Sequence, residues 1–178
     1  RFLEKKRKGI KIFLNDNEVL PMDPFLTSNF ATQKKPTQSM LVADKKVVVV
    51  PYVLPHLNKI TKEEMSMLGG KETLRSTQGY YIYRNQRLII WGKWFGQYPK
   101  HELQKLVRIQ VDIPNSLDYI WDIDVKKSQA VLPNAIKKDL GIMINKALID
   151  GKNIFSFRGR KPSKNSDIIY LWDRIDNR

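Results

Sequence analysis

Short runs with a two-residue apolar period recur along this chain, and turn-forming residues or prolines separate them. The clearest pair covers 79–84 and 87–92, with Asn85 and Gln86 between the two runs. Because asparagine tolerates the positive φ that a two-residue turn demands, this spacing predicts a β-hairpin. Paired strands are therefore the first expectation for this chain.

Four other segments carry strand signals of the same kind. The continuously apolar run at 47–50 indicates a strand that is covered on both faces. Proline cannot continue a ladder of backbone hydrogen bonds, so Pro114 ends one of the alternating runs. Hairpins are predicted around 15–17 and 44–46, and single strands over 106–113 and 119–125.

Two helices are predicted from their end signals. Thr61 followed three residues later by Glu64 has capping-box spacing, and the glycine pair at 69–70 ends that short helix. Pro133 suits the first position of a longer helix, which Gly151 is expected to end. The long helix carries one apolar stripe: Ile136, Leu140, Met143, Ile144, Ala147 and Leu148. Together these elements predict an α+β fold, a mixed β-sheet with helices packed on one face.

The length of 178 residues suits one domain with a short extension. Residues 1–151 are expected to form the α+β domain. Residues 152–178 begin with a basic stretch that contains Gly159 and Pro162, so they are interpreted as a linker followed by the start of a truncated element. The chain opens on Arg1 without a methionine and stops after an apolar run, which favours an internal piece of a longer protein.

The chain carries a net charge of +14, from 32 basic and 18 acidic side chains. This surplus favours a polyanionic partner such as nucleic acid or nucleotide phosphates, although solubility or a missing acidic portion explains it equally well. The absence of cysteine excludes disulfides, thiolate metal sites and cysteine nucleophiles, and it favours the cytoplasm. No apolar run approaches the roughly 20 residues that a membrane-spanning helix needs, so no membrane partner is expected.

Few residues offer catalytic chemistry. The only histidines, His56 and His101, lie in expected loops without a second imidazole nearby, which favours surface side chains over a triad or a zinc site. Asp122 and Asp124 share one strand face and could hold Mg²⁺, but the adjacent lysines make mutual neutralisation the plainer interpretation. The Gly-Gly-Lys sequence at 69–71 lacks phosphate-loop spacing. The sequence therefore predicts no catalysis by this chain alone.

Aromatic and basic residues crowd together in and after the clearest hairpin. On an exposed sheet face, rings can stack on bases while basic side chains contact phosphates. A nucleic-acid-binding module is therefore one hypothesis, and alternation equally predicts that about half of the rings face the core. The rings are Tyr80, Tyr81, Tyr83, Trp91, Trp94, Phe95 and Tyr98. The proposed nucleic-acid contacts are Arg84, Arg87 and Lys93 in the hairpin, with Arg158 and Arg160 in the tail.

Several of these segments, in their order along the chain, resemble a known family. Together they resemble the region that follows the nucleotide-binding domain in GHKL ATPases, the superfamily of gyrase, MutL, histidine kinases and the MORC proteins. The resemblance covers roughly residues 9 to 150 and includes bacterial members of the superfamily. The segments are GIKIFLN at 9–15, LPMDPF at 20–25, QGYYIYRNQRLI at 78–89 with Gly92 and Trp94, RIQVDIP at 108–114 and DIDVKKS at 122–128.

The resemblance implies the transducer domain of a bacterial GHKL-type ATPase, a ribosomal-protein-like fold with an unusual left-handed βαβ crossover. In such families the transducer couples ATP binding and hydrolysis in the neighbouring domain to conformational change. A lysine from the loop after a central strand contacts the γ-phosphate. The matching loop begins here at Lys126 and Lys127, of which Lys127 is the favoured switch lysine. Two solvated lysines at a strand end are the alternative.

The same resemblance implies where the cofactors and partners belong. ATP and Mg²⁺ would bind an N-terminal GHKL nucleotide-binding domain of the same polypeptide, because the glutamate, the asparagine and the glycine-rich lid of that site lie outside this chain. The chain alone is expected to hold no cofactor and to turn over no ATP. The resemblance also suggests a homodimer of the full-length protein and allows DNA as a further partner.

Overall fold

The computed structural model describes residues 11–19, 22–117 and 134–159. The strands are β1 (Phe13–Leu14), β2 (Asn17–Glu18), β3 (Gln33–Lys34), β4 (Gln38–Val42), β5 (Lys45–Val53), β6 (Gly79–Arg84), β7 (Arg87–Lys93) and β8 (Val107–Ile113). The helices are α1 (Lys62–Met67), α2 (Thr73–Ser76) and α3 (Asn134–Gly159). β1 and β2 form a separate hairpin, and the mixed sheet has the order β3, β5, β8, β6, β7, with β4 also paired to β5. This arrangement confirms the predicted α+β fold.

Three tight turns join strands whose sequences predicted hairpins. Asn85 and Gln86, between β6 and β7, both adopt positive φ, 44° and 70°. The same left-handed geometry recurs at Asn15-Asp16, between β1 and β2, and at Ala43-Asp44, between β4 and β5. Two consecutive residues at positive φ match the right-handed twist of paired strands, which explains these sharp returns. The turn between β4 and β5 begins just before the predicted 44–46 segment.

Strand β8 lies inside the sheet and pairs along both of its edges. It is antiparallel to β5 and parallel to β6. Among the strands that the structure describes, β6 and β8 form the only parallel pair. The chain connects these two strands through β7 and a 3-10 turn at Glu102–Gln104, and not through an α-helix. The crossover implied by the family resemblance thus has no counterpart among these strands. The strand predicted over 119–125 lies outside the described residues.

The sheet buries side chains on both of its faces. On one face the apolar stripe of α3 packs with Leu68, Leu74 and the strands to form the main core. The other face carries a smaller group, here called the aromatic cluster: Phe25, Val50, Tyr52, Tyr81 and Tyr83. All helical residues of the two groups belong to the main core, so the helices pack on one face, as predicted. Because both faces are covered, β8 buries Arg108 and Gln110 as well as its apolar residues.

Strand β5 confirms the expectation from its apolar run. Val47 and Val49 are buried in the main core and Val50 in the aromatic cluster, so both faces are covered. Pro51 continues the strand although it has no N–H group. Its carbonyl accepts a hydrogen bond from the Lys35 amide at 2.9 Å, on the edge where pairing passes from β3 to β4. The missing donor therefore falls at the gap between two partner strands.

Hydrogen bonds confirm both predicted ends of α1. The Thr61 hydroxyl accepts from the Glu64 amide at 3.2 Å, and the Glu64 carboxylate accepts from the Thr61 amide at 2.9 Å. At the other end, Gly70 has φ of 94° and its amide donates to the Met65 carbonyl at 2.9 Å. These caps satisfy backbone groups that a short helix would otherwise leave without partners.

The prediction that Gly151 ends the long helix is wrong, because α3 continues to Gly159. Gly151 is buried where α3 lies on the sheet, and a Cβ atom there would stand 2.5 Å from Val107 Cγ2. Glycine at this position therefore serves the close packing of α3 on β8. The predicted domain boundary after residue 151 falls inside this helix.

None of the helices that the structure describes is long and apolar enough to cross a membrane.

Two glycines let β7 approach its neighbours closely. Gly79 and Gly92 both adopt positive φ, 119° and 64°. A Cβ atom on Gly79 would lie 2.8 Å from the Lys93 carbonyl oxygen, and one on Gly92 would lie 2.9 Å from the Thr77 Cα. Both neighbours are backbone atoms, which cannot swing aside as the end of a flexible side chain can. The end of β7 is therefore in close contact with the start of β6 and the end of α2.

We expect Gly92→Ala to lower the free energy of unfolding by about 2 to 5 kcal/mol, because positive φ and the backbone clash both oppose a Cβ atom. Gly96 is the matched control, since its φ is 75° and the space around it is open. Gly96→Ala should cost only about 1 to 2 kcal/mol. Urea denaturation measures both variants, and equal losses would contradict the close approach of β7 to α2.

Candidate functional site

The predicted phosphate-contacting lysines, Lys126 and Lys127, lie outside the described residues, as do Asp122 and Asp124. The described part of the chain before them ends at residue 117, after β8 and a 3-10 turn at Asn115–Leu117, so residues 118–125 also lie outside it. The assignment of a switch lysine therefore stays a prediction.

The predicted nucleic-acid contacts lie partly on one hairpin. Arg84, which is half-buried, and Arg87, which is exposed, are paired across the β6–β7 turn. Lys93 is exposed at the other end of β7. The hairpin therefore carries basic side chains at both of its ends. The side chain of Arg158 and the whole of Arg160 lie outside the described residues, and these two contacts stay a prediction.

Most of the rings near this hairpin are buried. Tyr80 and Trp94 belong to the main core, and Tyr81 and Tyr83 belong to the aromatic cluster. Phe95 and Tyr98 are half-buried against the main core, and Trp91 is exposed over 57% of its surface. The prediction that rings face the core is confirmed for the four buried residues. A ring inside the core cannot stack on a base, so among the rings of the hairpin itself Trp91 is the one exposed for that role, and nucleic-acid binding stays a prediction.

Polar side chains fix the buried rings in place. Trp94 donates from Nε1 to Gln78 Oε1 at 3.2 Å, and the Tyr80 hydroxyl donates to Gln97 Oε1 at 2.6 Å. Burial raises the pKa of Tyr80 far above its ordinary value, so this hydroxyl remains a proton donor. Gln97 also donates to the Lys137 carbonyl on α3. The segment after β7 is therefore tied to both β6 and α3.

The sequence analysis did not single out Arg108, the most unusual charged group that the structure describes. Its guanidinium is fully buried and donates to the carbonyls of Lys105 and Leu74, at 2.8 and 3.4 Å, and to the Thr77 hydroxyl at 2.8 Å. Its Nε has no partner, and its Cζ lies 5.9 Å from the ring centroid of Tyr81. Burial lowers the pKa of Arg108 from its ordinary value. No carboxylate in the described part of the chain is bonded to this charge.

Both histidines have local structural roles. His56 Nδ1 accepts from the Asn58 amide at 3.3 Å, and His101 Nδ1 accepts from the Leu103 amide at 3.2 Å. Each imidazole therefore caps a short 3-10 turn.

Across residues 11–19, 22–117 and 134–159, there is no group of three histidine or acidic side chains that could hold a metal ion.

An open cavity of about 450 Å³ lies between β3 and α3. Lys35 forms an ion pair with Asp150 there and also donates to Gln33 Oε1 at 2.8 Å. These charges satisfy each other, and none of the lining residues belongs to a predicted site. The lining residues are Gln33, Lys35, Asp150, Asn153 and Ile154.

Comparison of the chain with protein-family models, with curated proteins and with solved structures gives no match. The family resemblance therefore rests on its own sequence segments. Two of these, 78–89 and 108–114, fall within the described sheet and its hairpin turn.

A pair of tryptophan variants tests where the rings lie. Trp91→Ala should change the free energy of unfolding by no more than about 0.5 kcal/mol, because its ring is largely exposed. Trp94→Ala should lower it by about 3 to 5 kcal/mol, since it removes a buried ring and leaves Gln78 Oε1 without that donor. Chemical denaturation gives both values. A large loss for Trp91→Ala would show that its ring is part of the core.

Proposed function

We propose that this chain is the transducer domain of a GHKL-type ATPase, which couples ATP binding and hydrolysis in a neighbouring domain to conformational change. One observation carries the proposal. The segments at 78–89 and 108–114, which hold much of the family resemblance, supply the neighbouring parallel strands β6 and β8. Segments that resemble one family and also pair within one sheet are what a shared fold requires.

The sheet around β8 is suited to transmitting a displacement. β8 pairs with strands on both sides and is covered on both faces, so it moves together with its neighbours. Lys126 and Lys127 directly follow the strand predicted over 119–125, which comes after β8 in the sequence. An ammonium group at the γ-phosphate would stabilise charge that develops during hydrolysis, and loss of the phosphate would release it. In this proposal the lysine transmits to the sheet whether a γ-phosphate is bound.

The proposal assigns ATP and Mg²⁺ to an N-terminal GHKL nucleotide-binding domain of the same polypeptide, and no cofactor to this chain. The full-length protein would form a homodimer, as the resemblance suggests. It would act in the cytoplasm, which the absence of cysteine supports.

Alanine substitution tests the switch lysine in a polypeptide that joins this chain to its nucleotide-binding domain. Lys127→Ala should lower the ATPase rate on the order of 10²-fold while nucleotide binding changes much less, because the contact matters most as transition-state charge develops. Lys126→Ala should have a smaller effect, and Lys45→Ala, an exposed lysine at the β4–β5 turn, should have none. Steady-state turnover and nucleotide titration measure the two effects.

Two results would contradict the proposal. Full turnover in the Lys126→Ala, Lys127→Ala and double variants would remove the switch-lysine assignment. ATPase activity in the purified chain alone would contradict the assignment of catalysis to a neighbouring domain.

A nucleic-acid-binding module is the second candidate, and it is compatible with the first. The supporting observation is that Arg87, Trp91 and Lys93 are all exposed on β7, an outer strand of the described sheet. Since the other rings of the hairpin are buried, contact with phosphates rather than serial base stacking is the interaction that this surface favours. Arg84, Arg158 and Arg160 are the further contacts that this candidate includes.

Titration of duplex and single-stranded DNA at two salt concentrations tests this second candidate. Binding should weaken as salt rises, because each phosphate contact releases condensed counterions. Fluorescence anisotropy of labelled oligonucleotides gives the dissociation constants. Absence of binding at low salt, or binding that does not depend on salt, would remove the candidate.

A further inference from the structure

Three backbone segments meet at the C-terminal end of α2 and bring exposed basic side chains together. The close approach of Gly92 to α2 brings Lys93 to this end. The Lys100 ammonium donates to the Ser76 carbonyl, and Arg75 Nη2 donates to the Lys100 carbonyl at 3.5 Å. Arg75, Lys93 and Lys100 are exposed. One backbone approach and two side-chain hydrogen bonds to backbone carbonyls hold the three segments together, so this gathering of charge is a property of the fold.

A buried charge lies beneath the exposed ones. Arg108 donates to the Leu74 carbonyl and to the Thr77 hydroxyl, both at the same end of α2. Carbonyl and hydroxyl oxygens accept hydrogen bonds from its Nη1 and Nη2 atoms but do not cancel its charge. A charge surrounded by protein is also screened less than a surface charge, so its field reaches further. The four basic residues Arg75, Lys93, Lys100 and Arg108 are called the α2 cluster below.

One acidic side chain beside the α2 cluster, Glu102, is engaged by a lysine outside the cluster. Glu102 interacts with Arg75, but its carboxylate is bonded to Lys105, and that hydrogen bond lowers the pKa of Glu102. Partial burial lowers the pKa of Lys100, and repulsion from Arg108 and Lys93 adds to this effect. Cations that repel one another in this way hold a positive potential that a bound anion would relieve.

We propose that the α2 cluster binds the phosphodiester backbone of a nucleic acid. This inference rests on the second candidate function above and gives it a defined contact surface. The exposed cations stand on α2, on β7 and on the segment before β8, which suits an extended polyanion better than a single small anion. Trp91, two residues before Lys93, offers one exposed ring for stacking on a base. The net charge of +14 acts in the same direction.

A pair of charge-matched variants tests this surface. Arg75→Gln/Lys100→Gln removes two charges from the α2 cluster, and Lys45→Gln/Lys46→Gln removes two exposed charges at the β4–β5 turn. The first variant should weaken binding of a short labelled oligonucleotide about tenfold or more at low salt, and it should reduce the slope of log K against log salt by about 2. The control should weaken binding no more than about threefold. Thermal unfolding of both variants checks that the fold is kept.

The outcomes separate failure of the site from failure of the function. Loss of affinity in the α2 variant alone supports the proposal. Equal losses in the two variants would overturn it, because diffuse charge would then account for binding. Absence of salt-dependent binding by the unaltered chain would overturn the nucleic-acid candidate itself. Competition by poly-glutamate as effective as that by unlabelled DNA would overturn the choice of nucleic acid as the partner.

Discussion

The backbone pairing of β8 is the interaction on which the rest of the described structure depends. This strand joins β5 on one side to β6 on the other, so the β4–β5 and β6–β7 hairpins belong to one sheet only through it. The same strand supports α3, where Gly151 lies against Val107. β8 therefore both connects the two hairpins into one sheet and forms the surface on which α3 packs closely.

Covering both faces of such a strand sets a condition on its polar residues. Alternation along β8 directs Arg108 and Gln110 away from the main core, yet the second layer buries them as well. Gln110 donates to Asp112 at 2.6 Å, and Arg108 uses carbonyl and hydroxyl oxygens near α2. A buried polar group must be bonded to avoid a large desolvation cost, so Arg108 also fixes α2 against the sheet. Arg108 therefore has two roles: it bonds α2 to the sheet, and it supplies the buried charge beneath the basic surface.

Features that depend on neighbours in sequence could be predicted from the sequence, whereas features that depend on tertiary contacts could not. The turn at Asn85-Gln86 and the cap formed by Thr61 and Glu64 follow from local backbone preferences, and both were predicted correctly. Glycine is typical of a helix end, but the role of Gly151 is set by its contact with Val107, which is distant in sequence. Alternation predicted that about half of the hairpin rings are buried, but burial of rings on both faces of the sheet depends on Phe25 and α3, which are distant in sequence. Arg108 gave a visible signal, a basic residue in an alternating strand, but its burial could not be read from that pattern.

The position of β8 also determines the order in which the chain can assemble. β5 and β6 are both synthesised before β8, yet neither pairs with the other in the finished sheet. On the ribosome, the two hairpins can therefore form as separate units. In each hairpin, one strand edge stays unpaired until β8 is synthesised. Until β8 emerges, these open edges are sites at which another copy could add a strand. Late arrival of the central strand makes its synthesis the step that converts two independent hairpins into one sheet.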